Sequence, residues 1–217
     1  MLSRRRERKF TIPDDYAIVL DYMPTGNPVD RHPQHRVRAI AQAIGTKFFT
    51  LVEFYPKRGV DLQIGEEVFI GLHGVRDKVE YVFNERLMYA DLTSVAKANL
   101  PEVVRKLVLR NEKIFVEFFN RAGPITIRFH AFELLPGIGK KSMWLVLEER
   151  KKSPFKSFED IQNRVKINDP VKVIVDRILL ELRGEEKYYI FIEPPPNAPP
   201  NAIALRYLER LYKILSI

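Results

Sequence analysis

The stretch Leu135-Pro136-Gly137-Ile138-Gly139-Lys140-Lys141 decides how this chain is read. Two glycines flank one aliphatic residue, a proline precedes them and two lysines follow. Glycine lets a backbone turn with φ > 0 or lets another chain come close. Pro136 cannot continue an upstream helix, so it marks that helix's end. The first amides of the helix that follows have no internal partner and point outward. With the partial positive charge of the helix dipole, such a start accepts an anion. Lys140 and Lys141 add full charges at the same place. The amides of Gly137, Ile138 and Gly139, together with Lys140, Lys141 and Ser142, are therefore expected to hold a phosphate without reading a base.

The flanks are expected to be helical. In residues 125–134 (ITIRFHAFEL), part of the set Ile125, Ile127, Phe129, Phe132 and Leu135 recurs at helical spacing. In residues 140–151 (KKSMWLVLEERK), Met143, Trp144, Leu145 and Leu147 lie along a second apolar face. Helix, glycine hairpin, helix is the implied order, and LPGIG followed by Lys-Lys-Ser resembles the helix-hairpin-helix family of non-sequence-specific nucleic-acid binders. Met143 departs from that family's usual small alanine. A second helix pair is expected downstream. Ser157 is its N-cap candidate, and the turn Lys166-Ile167-Asn168-Asp169-Pro170 lacks paired glycines, which implies a poorer phosphate site. The run Pro154-Phe155, Ser157-Phe158-Glu159-Asp160-Ile161, Arg164-Val165 also recurs after such hairpins.

The charge distribution points the same way. The 217 residues carry a net charge of +8, which suggests a polyanionic partner. Residues 91–184 hold 18 Lys and Arg against 12 Asp and Glu, whereas residues 1–90 hold 14 against 12. Arg128, Arg150, Lys151, Lys152 and Lys156 are expected to widen the basic surface around the hairpin. Hydrophobic residues make up 46% of the chain, enough for a packed core. The absence of cysteine excludes disulfides and thiolate metal sites. No apolar run reaches the roughly 18 residues of a membrane span, so no membrane partner is expected. The N-terminus lacks the apolar core of a secretory signal, which makes a cytoplasmic location the expectation.

The predicted fold class is α+β and multidomain: a small OB-like β-barrel, then an all-α helix-hairpin-helix domain, then a C-terminal tail helix. Residues 1–10 read as a basic flexible arm. Residues 11–92 read as the barrel, with strands near Tyr16–Tyr22, Lys47–Tyr55, Glu67–Leu72, Lys78–Phe83 and Leu87–Leu92. The phrase LQIGEEVFIG (residues 62–71) resembles a strand start of OB-type barrels, where the glycine lets the strand bend, and an SH3-like barrel gives a similar pattern. Residues 93–184 read as helical, with Asn99 before Leu100-Pro101 as a cap candidate and residues 112–121 as helix or strand. Residues 185–217 combine a strand at Lys187–Ile192, a proline-rich linker and an amphipathic helix over 202–215. This order, over about residues 11–193, resembles a family of uncharacterised archaeal proteins that combine an OB-like barrel with a helix-hairpin-helix unit. The resemblance implies an architecture and a nucleic-acid theme, not a reaction.

No catalytic site is expected. His32-x-x-His35 is a conceivable metal pair, but Pro33 argues against a regular helix there, so no metal or cofactor is expected. His130 is expected inside an apolar helix. Adjacent acids such as Glu148-Glu149 diverge on a helix and do not form an acid and base pair. Phe48, Phe49, Phe54 and Tyr55 are candidates for stacking on bases, against the plainer role of core residues. The expected function is non-enzymatic binding of DNA or RNA backbone. The alternative is a protein–protein adaptor in a nucleic-acid-processing or translation complex, with the C-terminal helix meeting a protein partner.

Overall fold

Strands form where β-branched and aromatic residues alternate with small ones between turn residues. The computed structural model describes residues 11–216, so the expected basic arm at 1–10 lies outside the described residues. Tyr16–Met23 (β1), Ile40–Gly45 (β2), Leu51–Pro56 (β3), Glu67–Phe69 (β4) and Val79–Val82 (β5) make one antiparallel sheet in the order β4-β1-β2-β3-β5. β4 and β5 are its two edges and do not pair, so the part expected as a small barrel is a curled half-barrel sheet. A bulge between Val19 and Asp21 sharpens the local twist. Ala17, Val19, Ala41, Ala43, Val52, Phe54, Val68, Val79 and Val82 line one face and close over Leu62 and Ile70.

Three local expectations change in this unit. The sequence reading missed β2, because its Ile-Ala-Gln-Ala-Ile-Gly carries little aromatic signal. Residues 47–50 turn instead of extending a strand, because the Asp14 carboxylate accepts the N–H groups of Lys47 (2.7 Å) and Phe48 (2.9 Å). The strand expected at Leu87–Leu92 is a 3-10 helix at Tyr89–Asp91. Buried Gln42 holds this segment by donating to the Asp91 carbonyl (3.0 Å) and accepting from the Thr93 N–H (2.9 Å).

The chain divides into two compact units, one running to Leu87 and including Asp91–Ala96, the other formed by Met88–Ala90 and residues from Lys97 onward. Ser94–Arg110 (α1) starts at Thr93, whose Oγ1 accepts the Ala96 N–H at 3.0 Å. Asn99 is therefore not the cap, and Pro101 lies inside the helix. Glu112–Arg121 (α2) resolves as helix and buries Ile114, Phe115, Val116, Phe118 and Phe119. No α-helix forms over residues 125–134. Pro124–Thr126 (β6) and Phe129–His130 (β7) form a small hairpin, followed by one 3-10 turn at Ala131–Leu134. The β-branched run Ile125-Thr126-Ile127 favours this extended path, and Ile127 is fully exposed at its tip.

Lys140–Lys152 (α3), Phe158–Val165 (α4) and Pro170–Arg183 (α5) follow. Tyr188–Tyr189 (β8) pairs in parallel with Ile203–Ala204 (β9), so this strand stays within the second unit. The last helix, Tyr207–Leu215 (α6), starts later than expected because residues 203–204 are strand. Its apolar side, Leu208, Leu211 and Tyr212, is buried. The Tyr207 ring meets Phe118 of α2 edge-on at 5.1 Å, and its hydroxyl accepts the Gly123 N–H at 3.2 Å. Glu181 of α5 is fully buried and accepts the N–H groups of Ile190 (2.7 Å), Phe191 (2.9 Å) and Ile192 (3.0 Å). Among the described residues no helix is long and apolar enough to cross a membrane.

Candidate nucleic-acid interface

The LPGIG turn is built from its ends inward. Leu135 and Ile138 are buried and anchor it. The Ile138 N–H donates to the Leu135 carbonyl at 3.1 Å, so this amide closes the turn and is not open to a phosphate. Gly137 has φ +79, which only glycine adopts without strain. Gly139 has φ −82 and ψ 172, an extended conformation open to any residue. A Cβ added at Gly139 would meet nothing within 4 Å, so neither the backbone conformation nor crowding within the chain calls for glycine there. Its carbonyl accepts the Met143 N–H at 2.9 Å and so begins α3. Helix geometry then leaves the amides of Lys140, Lys141 and Ser142 without an intrahelical partner.

This helix start differs from the others. Gly139 supplies no side-chain cap, and no acid sits in the first turn. Thr93, Ser157 and Asp169 cap α1, α4 and α5, and Glu112 and Glu209 stand in the first turns of α2 and α6. Among the α-helices of the described residues, α3 alone has neither device. Lys140 and Lys141 are exposed and form no ion pair among the described residues. Trp144 is 60% exposed rather than part of a buried face, and Met143 and Val146 take the core positions. At three and four residues from the lysines, the indole shares their side of the helix.

Beside the turn lies a cleft of about 420 Å³, lined by Pro136, Gly137, Ile138 and Ser142, by the α4–α5 turn and by the start of α5, with the acids Asp169 and Asp176 on that far side. Lys166 is one of those residues, exposed and held at φ +55 as the C-cap of α4. The sequence reading did not single it out; its position after Val165 in the glycine-poor turn was the available signal. In that turn Asp169 accepts the Lys172 N–H at 2.8 Å and occupies the start of α5 with its own carboxylate.

Residues 13–193 match the family described as a protein of unknown function, DUF655. The chain belongs to this family. It is 42% identical over 193 residues to the uncharacterised protein MJ0038 of Methanocaldococcus jannaschii, covering 88% of this chain and 84% of that one. The crystal structure of Af1531 from Archaeoglobus fulgidus, also DUF655, is 47% identical, with a TM-score of 0.75 over 83% of this chain and 100% of its own.

In this DUF655 chain the remaining basic residues fall into separate places. Arg150 does not join a phosphate-facing surface: its guanidinium donates to the carbonyls of Phe119 (3.2 Å) and Ala122 (2.7 Å) at the end of α2. Lys151 and Lys152 lie at the other end of α3 from Lys140, roughly 16–18 Å away at 1.5 Å per residue. Lys152 pairs there with Glu149, and Lys156 follows on the exposed connection to α4. Arg128 is exposed in the β6–β7 turn. Phe49, Phe54 and Tyr55 are buried and Phe48 is half-buried, so none of the first three offers a stacking surface. His130 ends β7 instead of lying in a helix, and its Nδ1 accepts the Phe132 N–H at 3.2 Å.

Proposed function

We propose that this DUF655 protein binds nucleic-acid backbone without sequence preference, using residues 131–152 as a compact helix-hairpin-helix element. The observation that carries the reading is the open start of α3, uncapped, free of acid and flanked by exposed Lys140 and Lys141, which form no ion pair among the described residues. The unpaired amides of the first turn supply directed donors, and the lysines supply charge. Lys166 across the cleft extends the grip to a neighbouring phosphate, and Trp144 offers a face to an unstacked base. On this reading the curled sheet of the first unit is an OB-like fold. Binding, not turnover, is the activity.

A gel-shift panel with duplex DNA, single-stranded DNA and structured RNA at moderate salt tests the proposal. Binding that weakens as salt rises and is indifferent to sequence is expected. Failure with all three ligands overturns it and favours the protein–protein adaptor.

A further inference from the structure

A second site is assembled in the sheet unit from residues that share no role with the hairpin. Pro33 starts a 3-10 helix at Pro33–Arg36, with His32 as its N-cap. That turn folds His32 and His35 toward each other, ring centroids 4.8 Å apart. Asp30 lies between them. Its Oδ2 is 3.2 Å from His35 Nδ1, and its Oδ1 is 3.3 Å from His32 Nδ1 while also accepting the His32 N–H at 2.7 Å. Glu53 of β3 brings Oε2 to 3.8 Å from the same His35 Nδ1. His32, His35 and Glu53 of this group open on a cavity of about 560 Å³ whose lining also includes Arg31, Tyr81 and Phe83.

Two features go beyond a hydrogen-bonded loop. Asp30, His32 and His35 each offer a ligand atom within 4.8 Å of the others. Tetrahedral ligands at about 2.0–2.1 Å from a zinc ion stand roughly 3.4 Å apart. His32 is half-exposed, so its ring has room to turn toward the others as an ion binds. In addition, the Asp30 and Glu53 side chains are only 9% and 11% exposed, and neither carboxylate contacts a Lys or Arg among the described residues. Among the described residues, only protonation of His32 or His35, or a bound cation, would balance these two carboxylates.

We propose that Asp30, His32 and His35 bind one divalent transition-metal ion of the zinc class, with Glu53 or water completing the sphere toward the cavity. Imidazole nitrogen with carboxylate oxygen is a ligand set for such an ion and a poor one for magnesium.

Full-length protein stripped with a chelator is titrated with Zn²⁺ by calorimetry, and with Co²⁺ while its visible absorption is recorded. One ion per chain is expected, with a low-coordinate cobalt spectrum. His32→Ala, which removes a half-exposed ring, is expected to weaken Zn²⁺ binding by about 100-fold or more, with its circular dichroism unchanged. Asp30→Asn is expected to act in the same direction. Absence of wild-type binding tighter than about 10 µM overturns the proposal, as does a His32→Ala variant that binds like wild type.

Discussion

Arg150 Nη1 donates to the Ala122 carbonyl at 2.7 Å and thereby ties the last turn of α3 to the end of α2. A second bond to the Phe119 carbonyl at 3.2 Å, and a place over the Phe132 ring, complete its surroundings. A residue that reads as part of a basic surface is a clamp between two helices.

Arg150→Met is therefore expected to destabilise the helical unit by about 1.5–3 kcal/mol, the range for bonds to a charged donor. Urea unfolding measures this. Nucleic-acid affinity of the folded variant should stay at the wild-type value, which separates clamp from contact.

Lys140→Ala with Lys141→Ala should leave the unfolding midpoint almost unchanged, because both side chains are exposed and unpaired. On duplex DNA the salt slope should fall by roughly 1.8, at about 0.9 for each lost phosphate contact. A titration at several salt concentrations reads this slope directly.

Trp144 is the chain's only tryptophan and stands beside the open helix start. Its fluorescence should be quenched by single-stranded ligands that stack on the indole, and less by duplex. Trp144→Ala should weaken single-strand binding by about 1–3 kcal/mol. An unchanged emission spectrum at saturating single strand contradicts the contact.

His130 titrates below its ordinary value of 6.5, first because of burial and then because of the Arg150 charge. An added proton would also land on Nδ1, which already accepts the Phe132 N–H. A histidine with a depressed folded pKa contributes stability that is fully present above 6.5 and is lost as pH falls through the interval below it. The wild-type midpoint should drop from neutral pH toward pH 5. His130→Asn keeps a capping oxygen and should flatten that part of the profile.

Glu181→Gln should be the most damaging of these changes, at about 3 kcal/mol, because it leaves buried Arg177 with Glu186 as its one carboxylate partner and turns an amide toward backbone donors. Thermal unfolding of the variant checks it.

Much of the second unit was legible because its signals are local. Ser157 caps α4 as its position before Phe158-Glu159-Asp160 suggests, and its Oγ accepts the Asp160 N–H at 3.0 Å. α4 and α5 form on either side of the expected turn because apolar periodicity survives in each, whereas α3 starts where expected but buries Met143 and Val146 in place of the face that included Trp144. Missed features depend on distant partners. Asn99 looks like a cap, yet Thr93 is one, since Thr93 is fixed by Gln42 and by Asp21 Oδ2 at 2.6 Å. The helix expected at 125–134 gave way to a hairpin whose exposed Ile127 breaks the burial pattern that suggested it. Within the candidate site, the lysine pair and the glycines were readable as letters. The internal use of the Ile138 amide, the exposure of Trp144 and the proximity of Lys166 were not, because each depends on how the turn closes.

Asp169 has one further consequence. Its carboxylate is tethered to the helix it serves, so the start of α5 carries its own anion, whereas the exposed first-turn amides of α3 are left to water. On the proposed reading, an anion bound at α3 adds to the stability of the folded chain by mass action, and the melting temperature would then rise with ligand concentration.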